Sequence, residues 1–325
     1  MKKLLVSALV ALAAAFSAHA AEAYKIAVIP KGTTHEFWKS VHAGAVKAQR
    51  ELAAQGTEVN IIWKGPLRED DREQQVQVVE NFIGQQVNAI VLAPLDKRGL
   101  VAPVETAVRG KIPVVIIDSA LESKAPASFV ATDNREGGRI AARNLGKILG
   151  GKGNVILLRY QVGSASTEDR EEGFLEVMKK DFPEIKLIST DQHAGATRDS
   201  AKRVAENLLN RYGRQVNGIF ASNESAASGM LLALRDAGLN GKVKFVAFDA
   251  GETINAGLKA GDIAGFVVQN PLRMGYLGVK TAVAVLRGQK VDPVIDTGVG
   301  FVTKENMNQP DVAELLNPPL DQYLQ

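Results

Sequence analysis

Cysteine is absent from the 325 residues, which excludes disulfides, thiol nucleophiles, iron–sulfur clusters and cysteine-bound zinc in one step. Charge of one sign is missing too. The 39 Lys+Arg are nearly matched by 36 Asp+Glu, with no basic run longer than a pair such as Lys2-Lys3, so nothing offers a footprint for nucleic-acid phosphates. The longest apolar run, Leu4–Phe16, falls short of the roughly 20 residues that span a bilayer. What is there suits a folded protein: 46% apolar and 23% charged residues can bury a real core, and the length fits about two domains.

The apolar run sits behind Lys2-Lys3 and ahead of the small residues Ala18-His19-Ala20, the pattern of a secretory signal peptide. We expect residues 1–20 to be removed by cleavage after Ala20. The leader takes two lysines with it, so the exported chain is nearly neutral.

From Tyr24 onward, short Val/Ile-rich runs alternate with longer segments of helical period, the signature of βα units and a parallel sheet. Candidate strands are 25–29, 58–63, 89–93, 114–118, 154–159, 186–190, 218–221, 244–248 and 263–268. Most are apolar on both faces, as in a sheet covered by helices on each side. Phe37, Val41, Ala45, Ala48 and Leu52 form one helical stripe, and Val76, Val79 and Ile83 a second. The charged run Arg68–Glu73 reads as a solvated face at a helix start, where acidic residues complement the macrodipole. At Thr132-Asp133-Asn134 a second βα series begins, implying two similar α/β lobes without a flexible linker.

Motifs for chemistry are thin. Gly146–Lys152 has P-loop spacing but leads out of a helix into a strand and lacks the Ser or Thr that meets magnesium, so it reads as a glycine-rich helix cap. No GxGxxG follows the first strand, and no GxSxG elbow occurs. His35 and His42 have no evident third metal ligand, and His193 is distant in the chain. Asn223-Glu224-Ser225 has glycosylation spacing but reads as a helix N-cap. We expect no cofactor, metal or catalytic residue.

What remains is polar groups at the carboxyl ends of strands, where open α/β sheets bind ligands: Lys31 and His35, Asp118, Asn223 and Asp249. The aromatics Phe37 and Trp38 stand beside the first of these. A flat apolar ring next to charged hydrogen-bonding groups suits a sugar, although both rings could equally be core.

Several phrases then occur in order: Ile26–Lys31 through His35-Glu36-Phe37-Trp38, Ala93-Pro94-Leu95, Val114–Asp118, Thr132-Asp133-Asn134, Arg170–Phe174, Phe220–Glu224, Ala247-Phe248-Asp249 and Gln269-Asn270-Pro271. Together they resemble the periplasmic sugar-binding proteins of ABC importers, in the ribose/allose-binding group, over about residues 24–305. The resemblance implies a type I periplasmic binding protein: an α/β fold of two doubly wound parallel-sheet lobes joined by a three-strand hinge. The first lobe would comprise 24–132 plus 270–299, the second 133–269 plus 300–325. Hinge residues would be Thr132, Asp133, Gln269, Asn270, Val299 and Gly300.

The same resemblance implies that Phe37 and Trp38 stack on a monosaccharide, and that Lys31, Asp118, Arg170, Asn223, Asp249 and Gln269 bond its hydroxyls. His35, Ser119 and Phe248 complete the set by position. The sequence departs from the family at His35 (usually Asn), Ser119 (usually Arg or Glu) and Ala196 (often aromatic), and extends past its usual end from Thr303 to Gln325. The expected protein is a monomer, not an enzyme. It would capture an allose- or ribose-like sugar in the periplasm and deliver it to a membrane permease, or present a sugar signal to a chemoreceptor. A sugar-responsive transcription regulator shares the fold but needs a helix-turn-helix where the leader stands.

Overall fold

The structure, a computed structural model, describes residues 23–324. The leader 1–20 and its cleavage after Ala20 lie outside the described residues. The chain folds into two six-stranded sheets. The first contains β1 (Tyr24–Ile29), β2 (Val59–Trp63), β3 (Ala89–Leu92), β4 (Val114–Ile117), β5 (Ser128–Ala131) and, from near the end of the chain, β11 (Val294–Asp296). Their order is β11-β5-β4-β3-β1-β2, parallel throughout. The second sheet repeats this plan with β6 (Gly153–Leu158), β7 (Ile185–Ser189), β8 (Gly218–Ala221), β9 (Lys244–Phe248), β10 (Gly265–Gln269) and β12 (Val299–Val302). Its order is β12-β10-β9-β8-β6-β7, with only β12 antiparallel to its neighbour.

Helices α1 (Glu36–Ala54), α2 (Arg72–Gly84), α3 (Val101–Arg109) and α9 (Pro271–Leu286) cover the first sheet. The second is covered by α4 (Asn134–Ile148), α5 (Ala165–Asp181), α6 (Arg198–Tyr212), α7 (Glu224–Asp236) and α8 (Glu252–Ala260), with α10 (Pro310–Leu316) appended. The doubly apolar strands explain the layering. Ile26 and Val28 of β1 pack among α1 and α9, while Ala27 and Ile29 face α2 and α3; all four are wholly buried.

Glycines set how closely two of these helix pairs approach. A Cβ on Gly138 of α4 would stand 1.8 Å from the Arg170 carbonyl oxygen of α5, and one on Gly173 would stand 2.1 Å from that of Arg135. Gly44 and Gly275 play the same part between α1 and α9. The segment with P-loop spacing is the C-terminus of α4, where the Gly151 amide donates to the Gly146 carbonyl at 2.9 Å and Gly150 takes φ 65°.

β5, β11 and β12 are not among the candidate strands, being only three or four residues long, with Val294 in β11 64% exposed. Two of the crossings between sheets fall at Thr132-Asp133 and Gln269-Asn270. There Asp133 and Asn270 cap α4 and α9 by accepting from the backbone amides of Glu136 and Arg273, each at 2.9 Å. The third differs from expectation. Val299 and Gly300 already lie in β12 of the second sheet, so the chain crosses at Thr297-Gly298, where Gly298 has φ 90°. Thr132 Oγ1 lies 3.2 Å from the Gly298 carbonyl, tying two crossings together.

The tail beyond Thr303 belongs to both lobes. Leu316 of α10 joins the core of the second, whereas Arg50 of α1 donates to the carbonyls of Gln322 and Tyr323 and stacks over the Tyr323 ring.

Candidate ligand-binding cleft

Between the carboxyl edges of the two sheets lies a narrow cleft with about 30 Å³ of free volume. Lys31, His35, Phe37, Trp38, Asp118, Arg170, Asn223, Asp249 and Gln269 line it, each from the loop, strand end or helix start where the sequence put it. Asp118 follows β4 and Asp249 follows β9, equivalent places in the two lobes. Both have left-handed backbones, φ 62° and 70°, a conformation that costs a non-glycine residue energy and turns the side chain off the strand into the cleft.

Lys31 Nζ lies 3.0 Å from Asp118 Oδ2 and reaches the second lobe at Ser166 Oγ, 3.2 Å away, and Ser164 Oγ, 3.3 Å away. Arg170 is held on every side. Its Nε donates to Asn134 Oδ1 at 2.8 Å and its Nη1 to the Ser222 carbonyl at 3.0 Å, Asp249 stands 3.7 Å away, and the Phe248 ring lies 3.8 Å beneath the guanidinium. Gln269 donates to Asp249 Oδ1 at 2.6 Å. Burial pushes the Asp249 carboxyl above the usual carboxylate range, only partly opposed by Arg170 and Gln269.

Two of the expected site residues stand behind the cleft rather than in its lining. Phe248 is wholly buried beneath Arg170 and packs in the second lobe's core. Ser119, also wholly buried, lies 3.0 Å from Asp118 Oδ2 and 2.7 Å from Ser166 Oγ, supporting both. Ala196 is buried as well, at 6% exposure.

The cleft also contains residues that the sequence reading passed over. Glu69, assigned there to a solvated face, is 7% exposed and forms a node across the cleft. α2 starts only at Arg72, capped by Asp71, so Glu69 lies in the preceding turn and points inward while Arg68 and Asp70 remain in solvent. Its carboxylate accepts from Trp38 Nε1 at 2.7 Å and, from the other lobe, Tyr160 Oη at 2.7 Å, with His35 Nδ1 at 2.8 Å. Burial alone would raise its pKa. The hydrogen bond and charge of His35, together with Lys31 and Trp38, instead hold it at about 2. For His35, burial favours the neutral ring, but the hydrogen bond and charge of Glu69 outweigh it and raise the pKa. Tyr160 follows β6 as Lys31 nearly follows β1, and that equivalence is the one signal that could have found it.

Ser166, Thr167 and Glu224 complete the lining. Each cleft carboxylate thus meets a basic side chain: Asp118 with Lys31, Glu69 with His35, Asp249 with Arg170, and Glu224 with Arg198 at 2.6 Å. Two buried acceptors, Gln269 Oε1 and Glu224 Oε2, have no protein partner. Among the described residues, no group of three or more His, Asp or Glu could hold a metal ion, and no helix is long and apolar enough to cross a membrane.

Two parallel-sheet lobes joined by three crossings, with a polar, charge-paired cleft between them, define a solute-binding protein of the type I periplasmic class. Residues 26–290 match the periplasmic binding protein domain, and the chain belongs to that family. It is 30% identical to a D-ribose/D-allose-binding protein of Pseudomonas aeruginosa over 299 residues, covering 89% of this chain and 92% of that one. Among solved structures, it resembles a carbohydrate transporter solute-binding protein of Agrobacterium radiobacter in complex with D-arabinose. That match has TM-score 0.86 and 37% identity, covering 91% of this chain and all of the other. An ABC transporter solute-binding protein of Agrobacterium vitis with bound D-fucose matches at TM-score 0.85 and 33% identity, covering 90% of this chain and 99% of that one.

Proposed function

We propose that this protein captures a small neutral monosaccharide or polyol in the periplasm, closes on it and delivers it to an ABC permease. The observation that carries this reading is the pairing of every cleft carboxylate with a basic side chain, since a ligand bearing its own charge would leave that charge uncompensated in a buried site. Hydroxyl groups suit the same set because each can donate to a carboxylate or amide oxygen and accept from Lys31 or Arg170. The cleft's free volume of about 30 Å³ is water-sized, so a monosaccharide would enter with the lobes apart.

Phe37, half-buried beside Trp38 with their rings edge to face at 4.9 Å, would offer the apolar surface for the C–H face of the ring. Asn223, Asp249, Gln269, Asp118, Lys31 and Arg170 would supply the polar contacts, with Ser119 and Phe248 holding Asp118 and Arg170 in place. Both lobes contribute to this set, so only the closed form could make every contact, and closure would be what the permease reads. The leader would direct export.

The test is a thermal-shift screen of the leaderless protein against D-ribose, D-allose, D-arabinose, D-fucose and xylitol, with gluconate and ribose 5-phosphate as charged controls. A ligand at a hundred times its Kd adds about 2.7 kcal/mol to the folded state. A rise of several degrees with one or two neutral members and none with the charged pair is expected; shifts confined to the charged pair would refute the reading.

A further inference from the structure

The acceptor left open on Glu224 points to a recognition role for a residue outside the set implied by family resemblance. Glu224 opens α7 immediately after Asn223, is 3% exposed, and lines the cleft. Its two carboxylate oxygens are used unequally. Oε1 accepts from Arg198 Nη2 at 2.6 Å, Arg198 Nε at 3.0 Å and Ser228 Oγ at 2.7 Å. Oε2 is buried with no protein donor. Leaving a buried carboxylate oxygen unpartnered is costly, and native proteins keep such groups where a bound ligand, ion or water satisfies them. Arg198 grips Oε1 from two nitrogens, which leaves Oε2 as the oxygen free to accept from a ligand. The same Arg198 Nη2 lies 3.7 Å from Glu36 Oε1 of α1 in the first lobe, and Glu36 Oε2 accepts from the backbone amide of Glu252 at 3.1 Å. The Glu224 carboxylate is therefore braced by a chain that spans both lobes.

We propose that Glu224 is a specificity-determining residue whose Oε2 accepts a hydrogen bond from a ligand hydroxyl, with Arg198 as its positioning residue. The proposal rests on the sugar or polyol reading above and deepens it. Gln269 Oε1, the second unpartnered acceptor in the same cleft, makes the same demand. The ligand must present at least two hydroxyl donors to the second lobe. Groups that only accept, such as carboxylates and phosphates, are rejected there, as are analogues deoxygenated at either position.

The experiment compares wild type, Glu224→Gln and Ser228→Ala by calorimetry against D-ribose, D-allose, D-arabinose, D-fucose and xylitol, then against 2-deoxy and 3-deoxy forms of the tightest binder. Glu224→Gln keeps an oxygen for Arg198 but replaces the free acceptor with a donor. A Kd raised 10- to 100-fold with an unchanged melting temperature is expected, since a charge-assisted hydrogen bond is lost. Ser228→Ala, which removes a donor to Oε1 only, should leave Kd within twofold. One deoxy analogue should bind wild type and Glu224→Gln equally, identifying the hydroxyl concerned. Overturning results are an unchanged Kd for Glu224→Gln, or a loss equal for the parent sugar and every deoxy form, which would make Glu224 purely structural. If wild type binds none of the five, the sugar reading falls, and this proposal with it. If wild type binds and only the variant comparison fails, the sugar reading stands.

Discussion

Replacing Glu69 with Gln removes the charge from the node joining the lobes, and the consequence can be worked through. In the folded protein its carboxyl is held at about 2 against an ordinary value of 4.5. At about 1.4 kcal/mol per pH unit, that difference stabilises the fold by about 3 kcal/mol at neutral pH, undiminished by solvent because the group is buried. The sign follows from the depressed pKa: the stabilisation is fully present above 4.5 and is lost as pH falls through about 2. At pH 3, roughly 1.4 kcal/mol of it remains. His35 acts in the opposite sense. Its raised pKa gives stability that is complete below 6.5 and fades as pH rises through the folded value. Thermal melts of wild type and Glu69→Gln should therefore differ by about 6 °C at pH 5–6, taking about 2 °C per kcal/mol for a chain of this size. The gap should narrow on both the acid and the alkaline side. A gap that is absent, or that stays the same from pH 3 to pH 8, would refute the reasoning, because a lost packing contact has no reason to follow the titration of these two groups.

Asp249→Asn should separate stability from function. Burial raises its carboxyl pKa, so its ionisation opposes folding at neutral pH, and the amide should melt at the same temperature or higher while ligand affinity drops at least 100-fold by calorimetry. Gly138→Ala should lower stability by about 1–3 kcal/mol in urea and weaken binding too, because the added methyl meets the backbone of Arg170 itself. Ending the chain after Asn317 keeps Leu316 in the second lobe's core but removes the residues that Arg50 holds. Melting within about 2 °C of wild type with ligand release several-fold faster by stopped flow is expected; an unchanged release rate would show that the strap does not restrain opening.

The fold was largely legible because its strands are buried on both faces and stand out as continuous apolar runs. Ile26–Ile29 and Ala89–Leu92 need no context to be recognised. The sheet edges were not. β11 is three residues with Val294 exposed, and β12 owes its pairing to β10, which ends thirty residues before β12 begins, so neither has a local pattern to read. The same division runs through the cleft. Asp118 and Asp249 could be nominated by position, since a carboxylate after a buried strand faces the cleft whatever lies opposite. Glu69 could not, because a charged residue among Arg68, Asp70 and Asp71 looks solvated until Tyr160 and Trp38 are seen to surround it. Glu224 was obscured by Asn223, whose capping of α7 already explained the segment.

The contacts that join the lobes belong to the protein as much as to any ligand. Tyr160 and Gln161 both donate to Glu69, Lys31 reaches Ser164 and Ser166, Lys97 Nζ lies 2.7 Å from Glu168 Oε2, and Arg198 meets Glu36. Each exists only when the lobes are together, so each favours the closed form before a ligand contributes anything. Apparent affinity equals intrinsic affinity scaled by the fraction of molecules competent to bind, so these contacts tune it without touching the ligand. The half-buried Lys97–Glu168 and Arg198–Glu36 pairs still reach solvent, are partly screened by salt and are each worth about 1 kcal/mol. The buried hydrogen bond from Tyr160 in one lobe to the Glu69 carboxylate in the other is charge-assisted and worth more, about 1.5–3 kcal/mol. Evolution of ligand preference in this cleft can thus act on two separable sets of residues: the strand-end carboxylates and amides that select the hydroxyl pattern, and the Glu69–Tyr160 node that sets how tightly any acceptable pattern is held.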